Sequence, residues 1–138
     1  MSRVFLDTSY AVALATPRDR YHPQAVELAG HLERRAARIV TTRAVLLEIG
    51  NSLSRIRFRS PGIALLESLD ADPRVEIVSI SEGLYQRGFE VFRRRPDKEW
   101  SLVDCLSFVV MQDRGLRDSL TTDDHFEQAG FRALLLEA

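Results

Sequence analysis

Short apolar runs alternate with longer stretches of helical periodicity along the whole chain, and this alternation leaves few folds open. Residues 3–6 form a short buried strand that ends in the turn Asp7-Thr8-Ser9. The spacing predicts a short helix over 8–15, a loop over Thr16-Pro17-Arg18-Asp19-Arg20, and a helix over 22–38 whose Ala25, Leu28, Ala29 and Leu32 share a face. Ile39-Val40 is a second strand. Thr41 or Thr42 then caps a helix carrying Val45, Leu46, Ile49, Leu53 and Ile56, and Ser60-Pro61 opens another that runs to about residue 69. A strand follows at 75–80, then a helix over 81–94 stopped by Pro96, and an apolar helix over 101–115 closed by Gly115. The last elements are a strand at 119–121, a small helix over 122–130 and a strand at 132–136. Strand–helix alternation from end to end predicts an α/β fold, with a central parallel sheet of four to five short strands and helices on both faces.

Residues 1–138 are expected to form a single domain, because 138 residues suit one core and bury roughly two-thirds of the unfolded surface without disulfides. A composition of 45% hydrophobic and 28% charged residues argues against disorder. The lone Cys105 makes no intrachain bridge, and no Cys/His spacing matches a zinc site. The apolar run Val4-Phe5-Leu6 is too short for a signal peptide or a membrane span, so a soluble cytoplasmic protein is expected. A net charge of −1 excludes a polycation that coats nucleic acid. The basic residues are nonetheless lopsided, with Lys98 the only lysine. In Arg55-Ile56-Arg57-Phe58-Arg59 an aromatic ring sits between guanidinium groups, a pattern suited to phosphates and bases together. Arg93-Arg94-Arg95 fits a solvated helix end, where cations meet the negative end of the dipole.

In open parallel sheets, binding and catalysis gather at the carboxyl ends of the strands. Asp7 follows the first strand and Asp123 follows the Leu120-Thr121 strand, while Asp104 opens the 101–115 helix and Glu48 lies about two turns into the helix after the second strand. Each acid also has a plain structural use. Asp7 can cap a helix, Asp104 fits a capping box with Ser101, Glu48 can pair with Arg55 on the surface, and Asp123 can open a helix beside Asp124. Four carboxylates converging on one sheet edge would repel one another unless a hard divalent cation joined them. Their charge suits one or two Mg2+ or Mn2+ ions, and a two-metal site suits phosphodiester displacement. His22 and His31 fit surface or capping roles. His125, beside Asp123, is the histidine placed to touch a phosphate or support the acids.

Four segments stand in order: Phe5-Leu6-Asp7-Thr8-Ser9, Leu46-Leu47-Glu48-Ile49-Gly50-Asn51, Ser101-Leu102-Val103-Asp104 with Cys105 to Phe108, and Leu120-Thr121-Thr122-Asp123-Asp124-His125-Phe126. Together they resemble the PIN domain, most closely from Trp100 to Phe131, and the chain length resembles the VapC-type toxins of bacterial toxin–antitoxin pairs. The resemblance implies a PIN-like three-layer fold and an Mg2+- or Mn2+-dependent endoribonuclease that cleaves RNA. Asp7, Glu48, Asp104 and Asp123 match the family's four acids, both catalytic and metal-binding. Thr8 and Ser9 match small hydroxyl positions, Thr121 a threonine whose hydroxyl orients a metal-held water, and Asn51 a polar neighbour of Glu48. The resemblance also implies a homodimer and a small VapB-type antitoxin that obstructs the acidic cleft. The tandem Asp123-Asp124 departs from the pattern, and the distance to Phe126 selects Asp123.

Two other readings compete. One is a catalytically idle PIN-fold module that binds RNA or protein. The other is a phosphatase of the haloacid-dehalogenase type, which needs an acid two positions after Asp7, where this chain has Ser9. Arg55, Arg57 and Arg59 are expected to form a strip that follows RNA phosphates.

Overall fold

Val4, Phe5 and Leu6 are all buried, and this places β1 (Arg3–Leu6) at the centre of the sheet in the computed structural model, which describes residues 2–137. Burial on both faces is what a central parallel strand requires. The sheet order is β3-β2-β1-β4-β5, with β2 at Arg38–Thr42, β3 at Val75–Val78, β4 at Asp118–Leu120 and β5 at Arg132–Ala133. Every pairing is parallel, and Phe5 stands opposite Val40 on one side and Ser119 on the other.

The helices are α1 (Thr8–Ala15), α2 (His22–Arg34), α3 (Arg43–Ser52), α4 (Ile56–Ala71), α5 (Glu82–Arg94), α6 (Leu102–Asp113) and α7 (His125–Gln128). One group packs α1 against α2, α3 and α4, and the other packs α5 on α6 and α6 on α7. Right-handed crossovers put these groups on opposite faces, which gives the expected three layers. Beneath the start of α6, Phe108 meets Trp100 and Phe126 edge to face, with ring centres 5.1 and 5.0 Å apart. This cluster ties the start of α6 to α7, and each of these elements carries a polar residue of the site described below. No helix among the described residues is long and apolar enough to cross a membrane.

The structure corrects several boundaries. The break between the two helices after β2 falls earlier than expected: α3 ends at Ser52, Leu53 tucks into the core, and α4 begins at Ile56. Ile56 therefore lies outside the buried face of α3 and is 95% exposed. Pro61 sits in the second turn of α4 rather than opening it. The opening turn is tightened instead by Phe58 N–H donating to the Arg55 carbonyl at 2.9 Å, and Arg59 donates to the Ser54 carbonyl. α2 stops at Arg34, because Ala36 turns the chain with φ 49 and β2 begins two residues later. The final strand is only Arg132–Ala133 and gives way to a 3-10 turn at Leu134–Leu136.

Candidate active site

Parallel pairing of Leu6 with Leu120 ends β1 and β4 side by side, and Asp7 N–H extends the pairing by donating to the Leu120 carbonyl at 3.1 Å. β2 and β3 lie to one side of β1, and β4 and β5 to the other. This reversal is the topological switch point, where open α/β sheets bind ligands. An open cleft of about 610 Å³ lies there, and Asp7, Glu48, Asp104 and Asp123 all line it.

Asp7 is 5% exposed and occupies the cap position of α1, yet its side chain does not cap the helix. Its Oδ2 accepts from Thr121 Oγ1 at 2.7 Å and from Ser9 Oγ at 3.0 Å. Ser9 Oγ also accepts from Thr122 N–H, and Thr121 Oγ1 from Asp123 N–H, so the two hydroxyls fasten the loop after β4 to the end of β1. Thr121 is fully buried and spends its proton on Asp7. It therefore positions a carboxylate, which differs from the expected role of orienting a water. Glu48 reaches in from the second turn of α3, and its Oε1 accepts from Thr8 Oγ1 at 2.8 Å rather than pairing with Arg55.

Asp104 has the structural role and also faces the cleft. Its Oδ2 accepts from Ser101 N–H at 3.1 Å, completing a capping box, while the same oxygen lies 3.1 Å from His125 Nδ1. A carboxylate has two oxygens, and Oδ1 has no protein partner among the described residues. His125 also lies 3.2 Å from Asp123 Oδ1, and its backbone N–H donates to that oxygen at 2.9 Å. Asp104, Asp123 and His125 each offer one ligand atom, and these atoms lie within 4.8 Å of one another.

Burial and acid–acid repulsion outweigh the few countercharges in the cleft. Burial pushes Asp7 up to about 6, and the charge of Asp104 adds to this, against the hydrogen bonds from Thr121 and Ser9. Burial also raises Glu48, opposed by the Thr8 hydrogen bond and reinforced by Asp104. Asp104 is raised by burial and by Asp123, against the hydrogen bonds from His125 and Ser101. For His125, burial works to lower the pKa, but the bond to Asp104 and the charges of Asp123, Asp104 and Asp124 outweigh it and the net shift is upward.

Other expected residues fall elsewhere. Asn51 is exposed and does not line the cleft, whereas its neighbour Ser52 does. Arg55, Arg57 and Arg59 do not form one strip, because residues two apart on a helix point to opposite sides. Arg57 lies over the Phe58 ring, while Arg59 turns back to the Ser54 carbonyl. Arg93 and Arg94 pair with Glu90, and Arg95 pairs with Asp97, as a solvated helix end requires. Sequence reading missed Asp19, Arg20 and Tyr21, which line the cleft from the loop before α2. The available signal was Asp19-Arg20-Tyr21 itself, since the Asp19 carboxylate accepts from Tyr21 N–H at 2.8 Å and sets the turn.

The profile of the PIN domain family matches residues 4–132. The chain is 31% identical over 129 residues to the 23S rRNA-specific endonuclease VapC20 of two Mycobacterium tuberculosis strains, covering 93% of this chain and 95% of that protein. The crystal structure of M. tuberculosis VapC20, a sarcin–ricin loop cleaving toxin, superposes with a TM-score of 0.83 at 26% identity, over 94% of this chain and 96% of that one. VapBC2 from Rickettsia felis, bound to a DNA fragment from its promoter, shares the fold with a TM-score of 0.64 at 16% identity, over 93% of each chain.

Proposed function

The chain belongs to the PIN domain family, and on that premise we propose that it is a divalent-metal-dependent endoribonuclease, the toxin of a toxin–antitoxin pair. The observation that carries this reading is the convergence of Asp7, Glu48, Asp104 and Asp123 on one cleft at the switch point of the sheet. The donor set fits Mg2+ or Mn2+, because it consists of hard carboxylate oxygens whose mutual repulsion and burial leave three of the four acids with raised pKa values. Asp7, Asp104, Asp123 and Glu48 would hold one or two such ions. A bound divalent ion supplies Lewis-acid polarisation of the phosphate and a lowered pKa for the attacking water.

The chain's own residues do the rest. Thr121 and Ser9 fix one oxygen of Asp7, Thr8 aims Glu48, and the Ser101 capping box fixes Asp104. His125 bridges Asp104 and Asp123 and holds the two carboxylates together. The proposed substrate is RNA, and ribosomal RNA is the first to map, given that the VapC20 relative is a 23S rRNA-specific endonuclease. A small antitoxin that covers the acidic cleft, a homodimeric state and a cytoplasmic location complete the proposal.

Cleavage-site mapping on total RNA, with and without Mg2+, tests the reading. Asp7→Asn and Asp104→Asn are each expected to lower cleavage at least about tenfold while circular dichroism stays unchanged. Full activity in either variant removes that acid from the site. Cleavage that persists in chelator refutes the dependence on metal.

A further inference from the structure

Beside the acidic cleft lies a second hollow of about 460 Å³, lined by Thr16, Pro17, Arg18, Arg57 and Phe58. Both segments that build it continue from the cleft. Asp19, Arg20 and Tyr21 line the cleft directly after Arg18, and Ser52 lines it at the end of α3, a few residues before Arg57. Two residues of chain span at most about 7 Å, so Arg18 and Arg20 bracket a single short step between the two spaces.

The chemistry of the two spaces is opposite. The cleft gathers carboxylates, whereas the lining of the hollow contains no acid. Neither Arg18 nor Arg57 forms an ion pair among the described residues. Phe58 is partly buried and packed against the core, which holds its ring in place, and the Arg57 guanidinium lies 4.7 Å from the ring centre. A fixed ring with a guanidinium over it and a second unpaired guanidinium in the same lining is the combination that takes a base and its phosphate together. Arg20, over the Tyr21 ring at 5.3 Å, continues the positive rim to the cleft itself.

We propose that this hollow binds one unpaired nucleotide of the RNA adjacent to the scissile phosphate, its base against the Phe58–Arg57 stack and its phosphate held by Arg18 and Arg57. The inference rests on the RNA-cleavage reading above and adds a subsite to it. Arg59, although it belongs to the same basic run, has no part in the subsite, because its guanidinium is engaged by the Ser54 carbonyl.

The test is a fluorescence titration of short single-stranded RNA carrying 2-aminopurine, using Asp7→Asn protein in chelator to suppress cleavage. Binding is expected to quench the probe at one position. Phe58→Leu should abolish that quench and weaken binding by roughly tenfold. Arg18→Gln and Arg57→Gln should each weaken binding and flatten the plot of log Kd against log salt by about 0.7. Arg59→Gln should leave Kd within about twofold. In protein that cleaves, Arg57→Gln should raise KM and spare kcat. Phe58 packs on the core, so its variant needs a thermal melt beside it; the exposed Arg57 carries the test if Phe58→Leu unfolds. An unaltered salt slope in both arginine variants, or a quench that survives Phe58→Leu, overturns the subsite. Protein that cuts RNA with variants indistinguishable from it loses the subsite alone. Protein that neither binds nor cuts RNA loses the enzymatic reading and the subsite together.

Discussion

Burial and charge act together on Asp7, and its pKa of about 6 against an ordinary 3.8 is a statement about stability. A carboxyl that titrates higher in the folded state keeps its proton where the unfolded chain has lost it. Between about pH 4 and pH 6 the native state therefore binds more protons, and its stability falls as pH rises through that window. The rise corresponds to about 3 kcal/mol once Asp7 is fully ionised. Asp7→Asn is neutral at every pH, and its amide oxygen can still accept from Thr121. In chelator, the variant should thus gain on the native protein as pH rises from about 4 to 7, by up to about 3 kcal/mol in urea unfolding. A difference that stays flat over that range would show that the Asp7 charge carries no such penalty. Asp7, Asp104 and Asp123 were legible in the sequence because strand ends and helix starts can be read from apolar runs, whereas Glu48, inside α3, was singled out with them only as one of a set. Asp104 seemed to demand a choice between cap and site, yet its two oxygens permit both. The placement of Arg20 and Tyr21 was not legible, because it depends on how a loop folds back over the cleft.

At the scale of elements, the crossing of α5 on α6 is set by one glycine. A Cβ on Gly88 would lie 2.5 Å from Leu106 Cδ2 and 2.9 Å from Leu106 Cγ, so the helices approach as closely as they do only because residue 88 has no side chain. Leu106 is two residues beyond Asp104 on α6, and a displaced α6 carries that acid with it. Gly88→Ala is expected to cost about 1–3 kcal/mol by overpacking, read as a lower urea midpoint. Adding Leu106→Ala makes room, so the double variant should be more stable than the sum of the single losses. Strict additivity would mean that the two side chains do not meet. The alternation of strands and helices was readable because each type has its own apolar period. The position of the break between α3 and α4 was not. Leu53 and Ile56 continue the apolar pattern across a break that depends on Gly62, where a Cβ would stand 2.9 Å from Leu53 Cβ. Pro61 signals a helix start by its chemistry, and its place in the second turn of α4 reflects packing that outweighs one lost backbone hydrogen bond.

Over the whole molecule, a net charge of −1 conceals a separation of sign, with carboxylates gathered in the cleft and free guanidinium groups beside it. The separation is costly without a cation, since burial and like charge raise Asp7, Glu48 and Asp104 together. Folding and metal binding are therefore linked: an ion that binds only the folded state adds RT ln(1 + [L]/Kd), or about 2.7 kcal/mol at a hundred times Kd. Titrating Mn2+ into the protein near pH 7.5 should raise Tm progressively. Asp7→Asn and Asp104→Asn should abolish most of the rise, whereas Arg57→Gln, outside the acidic cleft, should preserve it. Protons compete for the same oxygens, so the native shift should shrink near pH 5, where Asp7 holds its proton. The two variants then separate two origins of stability. Asp7→Asn should melt above the native protein in chelator and below it in saturating Mn2+, an inversion that follows only if the charge that strains the empty fold is the charge that grips the ion. A variant that ranks on the same side in both buffers would break that link, and the cleft would have to be explained without a cation.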